Sequence, residues 1–117
     1  MIDIVKRLVN STLFSWAGLT ILFHKEFAFR LEIVLTLLLV PVIYWLELEF
    51  HIKLLLFALL WLLLIVETIN SAIEATVNRI SLEHHPLSKQ AKDMGSAAVF
   101  LTVILNVSVW VLVIFFA

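Results

Sequence analysis

The sequence predicts an all-α integral membrane protein, in which an N-terminal amphipathic helix on the membrane surface precedes three transmembrane helices. The hydrophobic fraction is 63% and the mean hydropathy is +1.12, whereas a soluble domain is only about 45–50% apolar. A soluble domain of 117 residues could not bury that much apolar surface, because small domains have little interior. Two glycines and two prolines give few signals for anything but helices and short turns. We expect residues 1–117 to form a single membrane-embedded domain.

The first element is predicted to be a surface helix over about residues 4–24. Apolar side chains such as Trp16 and Phe23 recur at helical spacing, while polar side chains such as Asn10 and Ser15 interrupt them. A helix of this kind lies along the membrane interface more readily than it crosses the hydrocarbon core.

Three later segments have the apolarity of transmembrane helices, which need about 20 apolar residues. Residues 94–117 carry no charge, and residues 54–73 contain a single charged residue, Glu67. Residues 33–46 form a shorter segment that contains Pro41, so the ends of this helix must reach into the membrane interfaces. With their flanks, the expected helices cover about residues 28–48, 52–84 and 90–116.

The basic residues predict the orientation in the membrane. Four of them precede the first span and three lie in the predicted 79–93 loop, whereas Lys53 alone lies between the first and second spans. Cytoplasmic loops are enriched in lysine and arginine. We therefore expect the N-terminus and the 79–93 loop to be cytoplasmic and the C-terminus to lie on the opposite side.

A polar stripe runs along the cytoplasmic half of the second span. Glu67, Asn70, Glu74 and Asn78 have spacings that bring them to one face of a helix. An ionised carboxylate inside a membrane helix costs at least a few kcal/mol, so a carboxylate there indicates a functional site. The alternative is that these groups only hold helices together through hydrogen bonds. Two carboxylates and two amides in line favour the functional interpretation.

A second group of charged residues is expected at the same cytoplasmic surface. Lys92 and Asp93 open the third span, and Glu26 precedes the first. Carboxylates that hold Mg²⁺, together with cations that balance phosphate charge, are the ingredients of phosphoryl transfer. Ordinary helix-end charges explain the remaining residues of this surface more simply, namely Arg30, Glu32 and Lys89.

The histidine pair and the net charge give no indication of a further site or partner. His84 and His85 have no further metal ligand at usable spacing, so a solvated loop is the favoured interpretation. The net charge of −1 gives no reason to expect a nucleic-acid partner.

Several blocks of the sequence resemble a known family. They are residues 67–74 (ETINSAIE), 91–99 (AKDMGSAAV), 29–32 (FRLE) and 15–19 (SWAGL). Together they resemble the small bacterial membrane lipid kinases of the diacylglycerol kinase family. The resemblance implies a homotrimer in the bacterial inner membrane, which transfers the γ-phosphate of ATP to a lipid alcohol with Mg²⁺ as cofactor.

The same resemblance implies roles on the nucleotide side of the site. Glu26 and Glu74 would bind the Mg²⁺ that bridges the ATP phosphates, and Lys92 would neutralise the transferring phosphoryl group. The implied nucleotide-binding residues are Arg7, Ser15, Glu26, Glu74, Lys92 and Asp93.

On the lipid side, the resemblance implies that Glu67 is the general base that takes the proton from the lipid hydroxyl. Asn70 would orient the phosphate or the acceptor, and Ser96 would support the acceptor. One departure stands out, because the family motif continues to an aspartate where this chain has Asn78. We expect Asn78 to lie outside the essential catalytic set.

The substrate and the function class have alternatives. Relatives that phosphorylate undecaprenol share the same core, but their sequence after the Lys-Asp pair is richer in alanine than residues 94–98 (MGSAA), which favours diacylglycerol. A small multidrug exporter also has a membrane glutamate, but it would have four full spans. A non-catalytic anchoring subunit would not need Glu67, Asn70 and Glu74 beside Lys92.

Overall fold

The computed structural model describes residues 1–116 and contains four helices in this range. They are α1 (Ile2–Lys25), α2 (Phe27–Trp45), α3 (Phe50–Ile80) and α4 (Pro86–Phe116). The all-helical prediction is confirmed, and α2, α3 and α4 are each long and apolar enough to cross a membrane. At 31 residues, α3 is about 46 Å long, so its ends extend beyond a hydrocarbon core of about 30 Å.

The spanning helices form an up-down-up bundle with α3 in the centre. At one end, Phe29 near the start of α2 packs with Leu64 of α3 and Leu22 of α1. At the other end, Ile43 of α2 packs with Leu56 near the start of α3. Helices α2 and α3 are therefore antiparallel, and the first apolar cluster lies beside the polar stripe.

Helices α3 and α4 are antiparallel as well. Asn106 of α4 donates a hydrogen bond of 3.0 Å to the carbonyl of Leu59 on α3, while Gly95 lies against Asn70 near the opposite end of the pair. Asn106 also donates to the carbonyl of Thr102 on its own helix, at 3.0 Å. The two contacts fix the register of the helix pair that carries most of the polar residues.

The turn between α3 and α4 lies a few residues earlier than the sequence suggested. The expected helices to residue 84 and from residue 90 leave residues 85–89 between them, whereas the structure leaves residues 81–85. The backbone becomes extended at Ser81, with φ −167° and ψ 145°, and Pro86 opens α4. Proline is favoured at the first helical position, where its missing N–H is not needed, and it keeps the preceding residue out of the helical region. Lys92 is a helical residue, in agreement with the expected helix over residues 90–116.

The corner between α1 and α2 is held by Arg30. Glu26 interrupts the helix with an extended backbone, at φ −107° and ψ 107°. The Arg30 guanidinium donates hydrogen bonds to the carbonyls of Phe23 at 2.7 Å and His24 at 3.1 Å. These carbonyls belong to the last turn of α1, where no intrahelical partner is available. Arg30 thus caps the C-terminal end of α1, as expected of a helix-end charge.

Large apolar faces of the bundle remain uncovered by the chain itself. Leu37 and Leu38 on α2, and Phe100 and Leu101 on α4, are each 64–68% exposed. Contiguous apolar surface of this kind is rare on soluble monomers, but it is what lipid tails require of a membrane helix. Most of α1 is also exposed, and Leu22 near its C-terminal end is its one buried residue.

Candidate active site

The polar stripe of α3 passes from the protein interior to the solvent. Glu67 and Asn70 are only 6% and 7% exposed, Glu74 is half-buried, and Asn78 is exposed. Ser71, beside the stripe, is buried too, and its hydroxyl has no hydrogen-bond partner among the described residues. An uncompensated polar interior is costly, which marks this part of the bundle as a site rather than a packing interface.

The side chain of Asn70 contacts both Glu74 on α3 and Gly95 on α4. Its side-chain amide donates to a carboxylate oxygen of Glu74 one turn further along α3, at 3.4 Å. Its carbonyl oxygen is buried without a hydrogen-bond partner in residues 1–116 and lies against Gly95 of α4. The amide orientation therefore couples the stripe to the α3–α4 interface.

Carboxylates from separate elements are near enough for their charges to influence Glu67. Those charges belong to Glu26, at the α1–α2 corner, and to Glu74 on α3. The charge of Glu67 in turn influences Glu32 on α2. Like charges repel, so a cation near these carboxylates would be bound favourably.

Glu32 is a site residue that the sequence reasoning did not identify. One of its carboxylate oxygens is buried and lacks a hydrogen-bond partner in the described chain. A signal was present in the sequence, since Phe29, Thr36 and Ile43 recur every seven residues and are buried. Glu32 follows Phe29 by three residues and so shares that face. The position of Glu32 near the start of α2 nevertheless favours a helix-end role from sequence alone, because the spacing does not show which face is buried.

The carboxylates fit a magnesium site that is completed by substrate. Within residues 1–116, no group of three or more His, Cys, Asp or Glu side chains converges to hold a metal by itself. Mg²⁺ usually keeps several waters and binds through one or two carboxylates plus phosphate oxygens. The hard oxygen donors of Glu26 and Glu74 match that requirement.

A polar cleft of about 340 Å³ lies at the end of α3 and α4. Its lining includes Asn78 of α3, the 81–85 turn, and Lys92 and Asp93 of α4. Lys89 also lines the cleft, and its ammonium forms an ion pair of 2.6 Å with Asp93 one turn away. The lining also contains Glu83, so two lysines and two carboxylates face the cleft, and Lys92 is the lysine that Asp93 does not pair with. The two histidines of the turn, His84 and His85, also face it.

An apolar cleft of about 610 Å³ is bounded by α1, α2 and α3. Its lining includes Trp16, Phe23, Ile33, Leu64 and Thr68, but not the carboxylate of Glu67. A cleft with this lining suits the hydrocarbon part of a lipid.

Three predicted site residues lie outside both clefts and outside the carboxylate cluster in the single chain. Arg7 and Ser15 on α1 and Ser96 on α4 are all exposed. None of them lines the polar or the apolar cleft. The carboxylate cluster consists of Glu26, Glu67 and Glu74, and Asn70 donates to one of its members, Glu74. Lys92 and Asp93 belong to the polar cleft.

The fold and the site together define a class of protein. It is a helical protein with three helices apolar enough to cross a membrane, a buried carboxylate at Glu67, and separate polar and apolar clefts. The family model described as "Prokaryotic diacylglycerol kinase" matches residues 13–114. The chain belongs to the prokaryotic diacylglycerol kinase family.

Relatives that are named diacylglycerol kinase are similar to this protein over nearly the whole chain. The diacylglycerol kinase of Pseudomonas aeruginosa is 48% identical over 106 residues, which cover 91% of this chain and 86% of the relative. The diacylglycerol kinase of Escherichia coli is 45% identical over 104 residues, or 89% of this chain and 85% of the relative. That of Haemophilus influenzae is 42% identical over 111 residues, or 94% and 93%. The resemblance drawn from the four sequence blocks is confirmed.

Proposed function

We propose that this membrane lipid kinase transfers the γ-phosphate of ATP to the primary hydroxyl of diacylglycerol, giving phosphatidic acid and ADP. The observation that carries the proposal is the buried Glu67 on α3, the helix that borders an apolar cleft on one stretch and a polar cleft at its C-terminal end. A lipid substrate and a soluble, phosphate-bearing one need such opposite surroundings to meet. The names of the relatives, diacylglycerol kinases at 42–48% identity, support the choice of lipid.

Glu67 is the general base of this reaction. Its carboxylate accepts the proton of the lipid hydroxyl while the hydroxyl oxygen forms a bond to the γ-phosphorus, and the bond to the ADP oxygen breaks. General-base assistance of this kind contributes about 10²–10⁴-fold to a rate. The burial of Glu67 supports the role, since a carboxylate shielded from water has few competing hydrogen bonds.

Glu26 and Glu74 would hold Mg²⁺, which would supply charge neutralisation for the phosphates of ATP when bound. Lys92 balances the charge of the transferring group, and Asp93 holds the basic side chain of Lys89 beside it. The ion pair of 2.6 Å between Asp93 and Lys89 and the shared lining of the polar cleft support this division. The residues of this cleft bind the nucleotide.

The acceptor lipid occupies the apolar cleft with its hydroxyl at Glu67. Asn70 orients the reacting groups through its amide, and Glu32 offers the hydroxyl a second hydrogen-bond acceptor. The unpartnered carboxylate oxygen of Glu32 supports that role. Ser96 contacts the acceptor on the α4 side.

The working form is a homotrimer, as the family resemblance implies. The exposed apolar faces of α2 and α4 leave ample surface for subunit packing within the membrane. Arg7 and Ser15, which stand away from both clefts in one chain, contact nucleotide on the assembled particle. Sedimentation of the detergent-solubilised protein, corrected for bound detergent, tests this state, and a monomer mass at full activity would contradict it.

The protein resides in the bacterial inner membrane with its N-terminus and the α3–α4 turn in the cytoplasm and its C-terminus outside. The distribution of basic residues supports this orientation. Because the chain has no cysteine, single cysteines at His84 and at Ala117 can be labelled directly. A membrane-impermeant maleimide should label Ala117→Cys in intact spheroplasts and His84→Cys only after lysis. The reverse pattern would overturn the orientation.

The decisive test measures ATP consumption by the purified protein in mixed micelles. A diacylglycerol kinase consumes ATP when diacylglycerol is present and releases phosphatidic acid in equal amount. Undecaprenol in place of diacylglycerol tests the alternative lipid. Equal ATP consumption with and without either lipid would refute the proposal, as would none at all.

A further inference from the structure

Gly95 occupies an unusual position for a glycine. It is buried in α4, nine residues after Pro86, and no glycine among the described residues has a positive φ. Its backbone conformation is therefore one that any residue adopts. A glycine inside a helix is less stable than alanine because it loses more conformational freedom on folding. The reason for the glycine must lie in the space around it.

That space is filled by the side chain of Asn70. A Cβ atom at Gly95 would overlap the carbonyl oxygen of the Asn70 side chain, lie 3.4 Å from its amide carbon, and touch Ile73 at 3.8 Å. Gly18, the other glycine of the chain, has no atom within 4 Å of the corresponding point. The two glycines therefore form a matched pair, one with a contact and one without.

The contact has a direction because an asparagine amide has two unlike ends. The oxygen of Asn70 is directed at Gly95 and has no hydrogen-bond partner in the described chain. The nitrogen is consequently directed along α3, where it donates to Glu74 at 3.4 Å. Adding a methyl group at Gly95 would push the oxygen away and turn the donor from the Glu74 carboxylate.

We propose that Gly95 is a positioning residue, whose missing side chain seats the Asn70 oxygen and thereby aims the Asn70 amide at Glu74. The inference rests on the proposed function only in the roles assigned to Asn70 and Glu74. Gly95 itself touches no reacting atom. Its effect passes through Asn70, and this is the property that the experiment examines.

Four proteins are compared in mixed micelles: Gly95→Ala, the control Gly18→Ala, Asn70→Ala, and the double variant of Gly95 and Asn70. The first measurement uses metal-free, nucleotide-free protein labelled with ¹⁵N-asparagine. The side-chain amide signals of Asn70 are assigned by their loss in Asn70→Ala. They should shift in Gly95→Ala and stay in place in Gly18→Ala. Unshifted signals in Gly95→Ala would overturn the proposal.

The second measurement is a double-mutant cycle in kcat/KM for MgATP. Gly95→Ala should lower this value by about tenfold or more while the KM for diacylglycerol stays within about twofold, and it should have little further effect once Asn70 is alanine. The same fold-loss in both backgrounds would show that Gly95 acts through general packing and would overturn the proposal. Gly18→Ala should retain full activity.

Two further outcomes have definite meanings. If Gly95→Ala fails to assemble, recovery of assembly in the double variant supports the steric contact with Asn70, and continued failure overturns it. If Asn70→Ala alone keeps normal kinetics, the role of Asn70 in the proposed function is wrong. That result is separate from the NMR shift, which reports on the contact whether or not Asn70 takes part in the reaction.

Discussion

The two ends of the α3–α4 pair use the same kind of residue for different purposes. Asn106 and Asn70 are both 7% exposed, and the side-chain oxygen of each is buried without a partner in residues 1–116. Asn106 donates to the backbone carbonyls of Leu59 and Thr102 and is close to an apolar cluster around Leu56. Asn70 donates to a carboxylate and lies among groups that repel one another. The two asparagines therefore differ in their hydrogen-bond acceptors: backbone carbonyls indicate a contact between helices, and a carboxylate indicates a candidate reactive site.

The comparison also shows where stability and reactivity reside. The apolar cluster around Leu56 has complementary neighbours from α2, α3 and α4, and such packing stabilises membrane helices through van der Waals contact, because lipid tails are as apolar as leucine. The carboxylate cluster gains little stability, because buried like charges oppose folding. The apolar cluster can hold the helices together while the other end of the bundle keeps its charges available.

Removing the carboxylate of Glu67 should have the largest effect. Glu67→Gln preserves size and hydrogen bonding but cannot accept a proton, so the rate should fall by about 10²-fold or more with the fold retained. The rate of phosphatidic acid formation in mixed micelles measures this loss. Glu49→Gln is the control, because Glu49 is an exposed carboxylate on the opposite turn of the bundle. Near-normal turnover by a correctly assembled Glu67→Gln protein would exclude the general base.

Removing either proposed metal ligand should have the second largest effect. Glu26→Gln or Glu74→Gln should raise the dissociation constant for MgATP by about tenfold or more, equivalent to about 1.4 kcal/mol, and leave the KM for diacylglycerol within about twofold. The two residues come from different elements, so similar effects would indicate one shared metal. Nucleotide binding followed by calorimetry tests this directly. Unchanged MgATP affinity in Glu74→Gln would count strongly against the assignment.

A smaller effect is expected at the solvent end of the stripe. Asn78 is exposed and about 16 Å along the helix axis from Glu67, so one phosphoryl-transfer centre cannot touch both. Asn78→Asp should change kcat/KM by less than about tenfold, or about 1.4 kcal/mol. Steady-state kinetics at varied ATP concentration measure the change. An increase of several orders of magnitude would instead show that Asn78 disables the native chain.

The smallest effect on catalysis is expected at Asn106. Asn106→Leu removes two hydrogen bonds to backbone carbonyls and also the unpartnered oxygen. Hydrogen bonds between membrane helices average about 0.6 kcal/mol and reach about 1.7, so the free energy of unfolding should fall by about 1 kcal/mol. The kcat should stay within about twofold. Reversible unfolding in sodium dodecyl sulfate, followed by circular dichroism, gives the first value. A loss of kcat without a loss of stability would show that Asn106 takes part in the reaction, and would contradict its assignment as a contact between helices.

Much of the protein follows from its sequence alone. Apolar runs and their lengths predict the three spans, because hydrocarbon tolerates only helices of sufficient length. The spacing of Glu67, Asn70 and Glu74 predicts a shared helical face, because helix geometry is local. The four conspicuous sequence blocks predict the family. Each of these inferences depends on neighbours within one helix or on composition, which a sequence displays directly.

Only the tertiary structure decided which elements meet. Glu32 comes within the influence of the Glu67 charge, and Gly95 lies against Asn70, because α2 and α4 both pack on α3. Such contacts depend on the register between helices, which is set by many small packing terms that no short stretch of sequence displays. The turn at residues 81–85 lies a few residues before its expected place, because Pro86 starts α4. Local chemistry was therefore visible in the sequence, while the partners of each side chain became known only from the packed bundle.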